Sequence, residues 1–250
     1  MRFFLEFSYS GKNYHGWQRQ PNAISVQEVI EDSLKTILRD SISLTAAGRT
    51  DTGVHARQMF AHFDANIKKE IILNLVYELN QFLPHDVVIK SLCPVREKAH
   101  ARFDAISRTY EYHISKNKNA FENDFHYFFK KPLDLELMNE ASKIILDHRD
   151  FKCFSKSNSD VKTYICNISK AYWKNSSQGY IFTISSNRFL RNMVRAIVGT
   201  LLEIGLKKKT LKNLEYILNS RDRSLAGFSV PAKGLFLIEV EYPKSIFIQI

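Results

Sequence analysis

The chain has only three cysteines in 250 residues, Cys93, Cys153 and Cys166, spaced far apart. An odd, scattered set of this kind suits reduced, mostly buried thiols. It fits a disulfide framework or a metal site less well, and no CxxC pair occurs. The eight histidines show no HExxH or similar ligand spacing. Neither GxxxxGK[ST] nor GxGxxG occurs, so no phosphate-cradling nucleotide loop is encoded, and no GxSxG supplies a serine nucleophile. A site without a metal or an organic cofactor is expected. No apolar run reaches transmembrane length, and no charged-then-apolar leader opens the sequence. These absences predict a soluble protein of the cytosol with no membrane partner.

What is present is a core and a lopsided charge. Hydrophobic residues make up 44% of the chain, enough to fold rather than stay disordered. Residues 1–104 carry 13 Lys and Arg against 12 Asp and Glu, whereas residues 105–250 carry 23 against 14. A basic half on a balanced chain suits a polyanion, because each cation near a phosphate releases condensed counterions. Lysines that merely aid solubility would give the same totals, so charge alone leaves the choice open.

Periodicity orders the elements. RFFLEFSY (2–9) alternates as a strand, with Phe3, Leu5, Phe7 and Tyr9 on one face. Ser25 and Glu28 form a capping-box pattern before a helix carrying Val26, Val29, Ile30, Leu34, Ile37 and Leu38. Strand-like runs follow near 43–48 and 58–65, then the helix KKEIILNLVYELNQFL and the strand DVVIKSLCPV. The second half repeats the order. It has the strand SRTYEYHIS, a helix that Asp134 can cap, a hairpin-like pair around Gly179, a helix over 187–204, a short helix LKNLEYILN and the strand LFLIEVEY. Two β-α-β-β-α-β runs predict an α+β fold of two ferredoxin-like halves, 1–104 and 105–250. The halves are expected to form a mixed, largely antiparallel sheet with helices on one face and a central basic cleft. There is no low-complexity linker, so tight packing is expected.

The chemistry concentrates in AAGRTDTGVHA (46–56). Gly48 and Gly53 predict a sharp turn, and Asp51 within it is a candidate nucleophile beside Arg49. A turn aspartate that bonds its own backbone is the commoner case. On the helix expected over 187–204, Arg188, Arg191 and Arg195 would share one face, with no acidic residue between 188 and 202 to pair with them. Such a stripe suits phosphates or a carboxylate from the other half; an ordinary solvated face describes Arg188 equally well. Aromatics interleave with cations at Lys12, Tyr14, His15, Trp17 and Arg19, and at Arg108, Tyr110 and Tyr112. Stacking plus charge is the physics of binding unpaired bases, although Tyr112 also reads as core.

Several segments together resemble the TruA family of tRNA pseudouridine synthases, nearly end to end. They are YSGKNYHGWQRQP (9–21), AGRTDTGVHA (47–56), LPHDVVI (83–89), HARFDAISRTYEYHI (100–114), DFKCFSK (150–156), FLRNMVRAIVGTLLEIG (189–205) and AGFSVPAKGLFLIEVEYP (226–243). The resemblance implies two ferredoxin-like halves, a homodimer, and isomerisation of uridines at positions 38 to 40 of the tRNA anticodon stem-loop to pseudouridine. By resemblance Asp51 is the catalytic aspartate, Tyr110 the active-site tyrosine and Arg195 the arginine that pairs with the aspartate. Arg49 is the motif arginine, and Leu235 is the apolar residue packed near the target base. Arg188, Arg191, Lys207, Lys208, Lys209, Arg221 and Arg223 are candidates for phosphate contacts. A non-catalytic RNA-binding module of the RRM kind would explain charge and aromatics, but its RNP pattern is missing and it gives GRTDTGVHA no task. A glycosidase would need a second carboxylate, and the motif has none.

Overall fold

The computed structural model describes residues 1–157 and 161–248. The chain divides into two compact units, one of Met1–Ser107 with Phe236–Ile250, the other of Arg108–Leu235. By sequence the first unit holds 14 Lys and Arg against 14 Asp and Glu, and the second holds 22 against 12. The whole net charge of +10 therefore belongs to the second unit.

The first unit contains strands β1 (Arg2–Tyr9), β2 (Thr45–Ala46), β3 (His55–Asp64) and β4 (Val87–Val95), and helices α1 (Val26–Leu38) and α2 (Ile72–Phe82). β1 pairs antiparallel with both β3 and β4, and β2 pairs antiparallel with β3. The order β4-β1-β3-β2 is that of a split βαβ sheet. The alternation in β1 buries Phe3, Leu5 and Phe7 completely. The opposite face is covered as well, at Phe4, which meets Tyr242 edge-on at 5.0 Å between ring centroids. α1 starts where expected, because the Ser25 hydroxyl accepts the Glu28 N–H at 3.3 Å. The final strand of the chain, β9 (Leu235–Glu241), runs parallel to β3 through His55↔Phe236 and Ala56↔Leu237.

The second unit contains β5 (Ser107–Ser115), β6 (Tyr127–Phe128), β7 (Ile168–Asn175) and β8 (Gly179–Ser186), with helices α3 (Leu135–Asp147), α4 (Met193–Gly205) and α5 (Leu211–Ser220). β8 lies between β5 and β7, antiparallel to both. β6 is a two-residue strand parallel to the end of β5. Asp134 caps α3, accepting the Leu137 N–H at 3.1 Å. Among the described residues the nine strands are thus mixed and largely antiparallel, and with five α-helices the fold is α+β.

One helix differs from its sequence reading. α4 begins at Met193 rather than near 187, because Asn192 takes a left-handed backbone, φ +68°. Arg188 and Arg191 precede the helix, so they share no helical face with Arg195. The uninterrupted apolar spacing hid this start; asparagine is among the few residues that enter the left-handed region readily.

A candidate active site on the GRTDTGVH turn

Ala47 continues the β2–β3 pairing by donating its N–H to the Phe60 carbonyl at 2.8 Å, and the chain then reverses over residues 48–54. Asp51–Val54 is a β-turn: the Val54 N–H donates to the Asp51 carbonyl at 3.1 Å, and Gly53 has φ +78°. That positive φ at the third turn position is why a glycine is needed there. Asp51 is half-buried and Arg49 exposed.

The segment after β1 holds this turn from behind. The Trp17 N–H donates to the Thr50 carbonyl at 3.2 Å, the Tyr9 and Thr50 hydroxyls share a hydrogen bond at 2.8 Å, and the Gly11 N–H donates to His55 Nδ1 at 3.0 Å. A Cβ on Gly11 would lie 2.0 Å from the Val54 carbonyl oxygen. Only glycine permits such backbone approach. His55 also stacks on Phe236 at 4.7 Å between centroids. Since its Nδ1 accepts a hydrogen bond, the neutral ring carries its proton on Nε2. The peptide positions flanking Asp51 are thereby fixed by close backbone contacts and by the Tyr9 and His55 side chains, which is how a reacting carboxylate is held in place.

Tyr110, Arg195 and Leu235, the other residues singled out by the sequence, belong to the second unit. Tyr110 on β5 is half-buried and packs edge-on against Phe189, centroids 5.2 Å apart. Its face-mate Tyr112 is core: it is 0% exposed and donates its hydroxyl to the Pro231 carbonyl at 2.8 Å. Burial raises the Tyr112 phenol well above its ordinary range, so it stays protonated. Arg195, in the first turn of α4, donates Nε to the Val230 carbonyl at 2.7 Å, and the Val230 N–H donates to the Arg195 carbonyl at 3.3 Å. The loop carrying Val230 lies directly on α4. A Cβ on Gly199 would meet the Phe228 carbonyl oxygen at 1.8 Å, and the Gly227 N–H donates to the Thr200 hydroxyl at 2.8 Å. Asn192 and Arg223 both donate to the Ser229 hydroxyl, at 2.7 and 2.9 Å. Leu235 opens β9 and is buried.

Several cations are used inside the second unit. Lys207 pairs with Asp134 at 3.2 Å, Lys209 with Glu203 at 3.7 Å and Arg221 with Asp150 at 3.0 Å. Arg223 anchors the 227–229 loop, and Arg188 donates to the Thr163 carbonyl at 3.3 Å. Lys208 and Arg191 are exposed. Tyr14 and Trp17 prove to be core. The Tyr14 hydroxyl donates to Asp86 at 2.5 Å, and Trp17 stacks on Phe7 at 5.3 Å. The cysteines are free, and burial pushes Cys153 up to about 12 and Cys166 to about 11, which suits inert thiols. Among the described residues no group of three or more His, Cys, Asp or Glu is placed to hold a metal. No described helix is long and apolar enough to cross a membrane.

The positioning residues Gly11, Gly16, His55, Gly199, Thr200 and Gly227 are missed by sequence reasoning. The signal available was glycine inside otherwise regular segments, above all Gly199 within a helical run.

The split βαβ sheet and the glycine-locked turn around an aspartate define a class. The profile of the tRNA pseudouridine synthase family matches residues 7–104 and 143–243, and the chain belongs to that family. The tRNA pseudouridine synthase A of Parabacteroides distasonis is 46% identical over 246 residues, covering 98% of both chains. The protein of the same name from Azobacteroides pseudotrichonymphae is 48% identical over 249 residues, again 98% of both, and that of Porphyromonas gingivalis is 45% identical over 250 residues, 99% of both.

Proposed function

We propose that the protein isomerises uridine to pseudouridine in tRNA, at positions 38 to 40 of the anticodon stem-loop, with Asp51 as the nucleophile. Membership of the family supports the reaction, and the observation that carries the residue assignment is the turn itself. Its backbone is gripped by Gly11, Gly16 and Trp17. Such rigidity is costly to build and is unneeded for a surface turn.

The reaction breaks the uracil N1–C1′ bond and forms a C5–C1′ bond; the C5 proton is lost and N1 gains one. Nothing is oxidised and no group departs. Asp51 must be ionised to act. Pairing with that carboxylate and aiming it is the task assigned to Arg195, with Arg49 as the motif arginine. Attack at C1′ and proton loss from C2′ to give a glycal both balance with these groups. In this reading Tyr110 stacks on the extruded base, and its hydroxyl relays a proton. Leu235 packs against the same base. Extrusion costs a few kcal/mol, offset by phosphate contacts from the second unit, with Arg188 and Arg191 as candidates. The reading includes a homodimer in which one tRNA touches both subunits, and a cytoplasmic setting.

The test is incubation with unmodified tRNA, followed by mapping of pseudouridine at nucleotide resolution. Pseudouridine at 38, 39 or 40 is expected. RNA binding without any isomerisation would leave a binding module in place of an enzyme.

A further inference from the structure

Residues 105–142 separate the two stretches matched by the family profile. Within them a turn over 120–125 displays Phe121, which is 93% exposed. A single exposed apolar side chain is ordinary on a protein surface. What sets Phe121 apart is how firmly its backbone is held. Its N–H donates to Asn119 Oδ1 at 3.0 Å, and Asn119 Nδ2 donates to Glu122 Oε2 at 3.1 Å. The Phe125 N–H donates to the Glu122 carbonyl at 2.9 Å. Beyond the turn, β6 is paired to the end of β5, and the Phe129 N–H donates to the Ser115 carbonyl at 2.8 Å. The turn is tethered on its other side too: Lys233 Nζ donates to Asn123 Oδ1 at 3.1 Å. Lys233 stands two residues before Leu235, and β5 carries Tyr110.

The surrounding charge is cationic. Lys118, Lys130 and Lys131 are exposed on the flanks. The turn itself carries two carboxylates, Glu122, which accepts from Asn119, and the half-buried Asp124, so the three lysines outnumber them and the charge is cationic on balance. An outward-facing ring on a hydrogen-bonded turn among lysines is an arrangement that binds an unstacked base while holding its backbone.

We propose that Phe121 is a stacking platform for an unpaired nucleotide of the RNA substrate, with Lys118, Lys130 and Lys131 against the neighbouring phosphates. The proposal rests on the tRNA reading above. It assigns substrate grip, not chemistry, to this turn.

Both native tryptophans, Trp17 and Trp173, are buried, so Phe121→Trp introduces one solvent-facing indole. Unmodified tRNA and single-stranded oligouridylate are expected to quench it saturably, and a blunt RNA duplex is not. Phe121→Ala should weaken the Kd for tRNA about tenfold without altering the thermal melt, while Phe121→Tyr stays within about threefold. An indole left unquenched while tRNA binds, equal quenching by the duplex, or undiminished affinity of Phe121→Ala would each overturn the proposal. Failure of the parent protein to bind tRNA would overturn the substrate reading itself, and is scored separately in the unsubstituted chain.

Discussion

Gly16 and Thr50 approach so closely that no side chain fits between them. A Cβ on Gly16 would lie 2.5 Å from the Thr50 carbonyl oxygen, and Gly16 has φ +88°. Gly16→Ala must therefore push back the backbone one residue before Asp51. It should lower the melting temperature by several degrees and kcat on the order of tenfold or more. Gly48→Ala, with no heavy atom within 4 Å of the added carbon, should leave the melting temperature unchanged. Thermal melts and single-turnover rates on both variants check this. Equal effects would mean the turn is not held from behind.

Arg195 sits where α4 meets the 226–231 loop, with Nε already committed to the Val230 carbonyl. A guanidinium can hold a carbonyl through Nε and present a planar fork to a carboxylate at the same time. Lysine cannot serve both partners, so Arg195→Lys should cost on the order of a hundredfold in kcat, with little change in tRNA affinity. A near-parental rate would reduce Arg195 to a structural anchor.

Salt should act through the second unit, which carries all of the net charge. Four phosphate contacts predict that the Kd for tRNA weakens about fiftyfold, at the single-strand coefficient, to about 150-fold, at the duplex coefficient, between 50 and 200 mM monovalent salt. Filter-binding titrations measure the slope. A flat response would place the RNA elsewhere than on the basic unit.

A pH dependence of folding should arise in the first unit. Burial, reinforced by His100 and Arg2, pushes the His62 imidazole down to about 4, against opposing contributions from Asp64 and the Thr45 backbone. The unfolded value is near 6.5. Between those values the unfolded chain binds a proton that the folded chain does not, so stability should fall as pH drops from about 6.5 to about 4. Above that window the contribution is constant. His62→Gln keeps an acceptor for the Ala101 N–H, which now donates to His62 Nδ1 at 3.1 Å, yet cannot titrate. Its urea midpoint should vary less between pH 7 and pH 4.5 than that of the parent. An unchanged acid limb would assign the effect to other groups.

What was legible in the sequence is what local physics decides. β1 and β5 occupy the expected residues because their alternation is strong, and Ser25 and Asp134 cap their helices because the cap lies next to the apolar run it starts. The turn around Asp51 is announced by its glycines. Three things depend on distant partners and were not legible. The left-handed Asn192 shortened α4; Tyr14 and Trp17 went to the core rather than to RNA; and Lys207, Lys209, Arg221 and Arg223 found partners within their own unit. Gly11 and Gly199 are plain in the sequence, but the backbone each one admits is more than 25 residues away.

The most direct measurement is pseudouridine mapping on unmodified tRNA treated with the Asp51→Asn protein. The substitution keeps size and hydrogen bonding but removes the negative charge. The expected result is no pseudouridine at all, with tRNA affinity within a few-fold of the parent. Pseudouridine formed at an appreciable rate by that variant would contradict the assignment of Asp51 as the nucleophile.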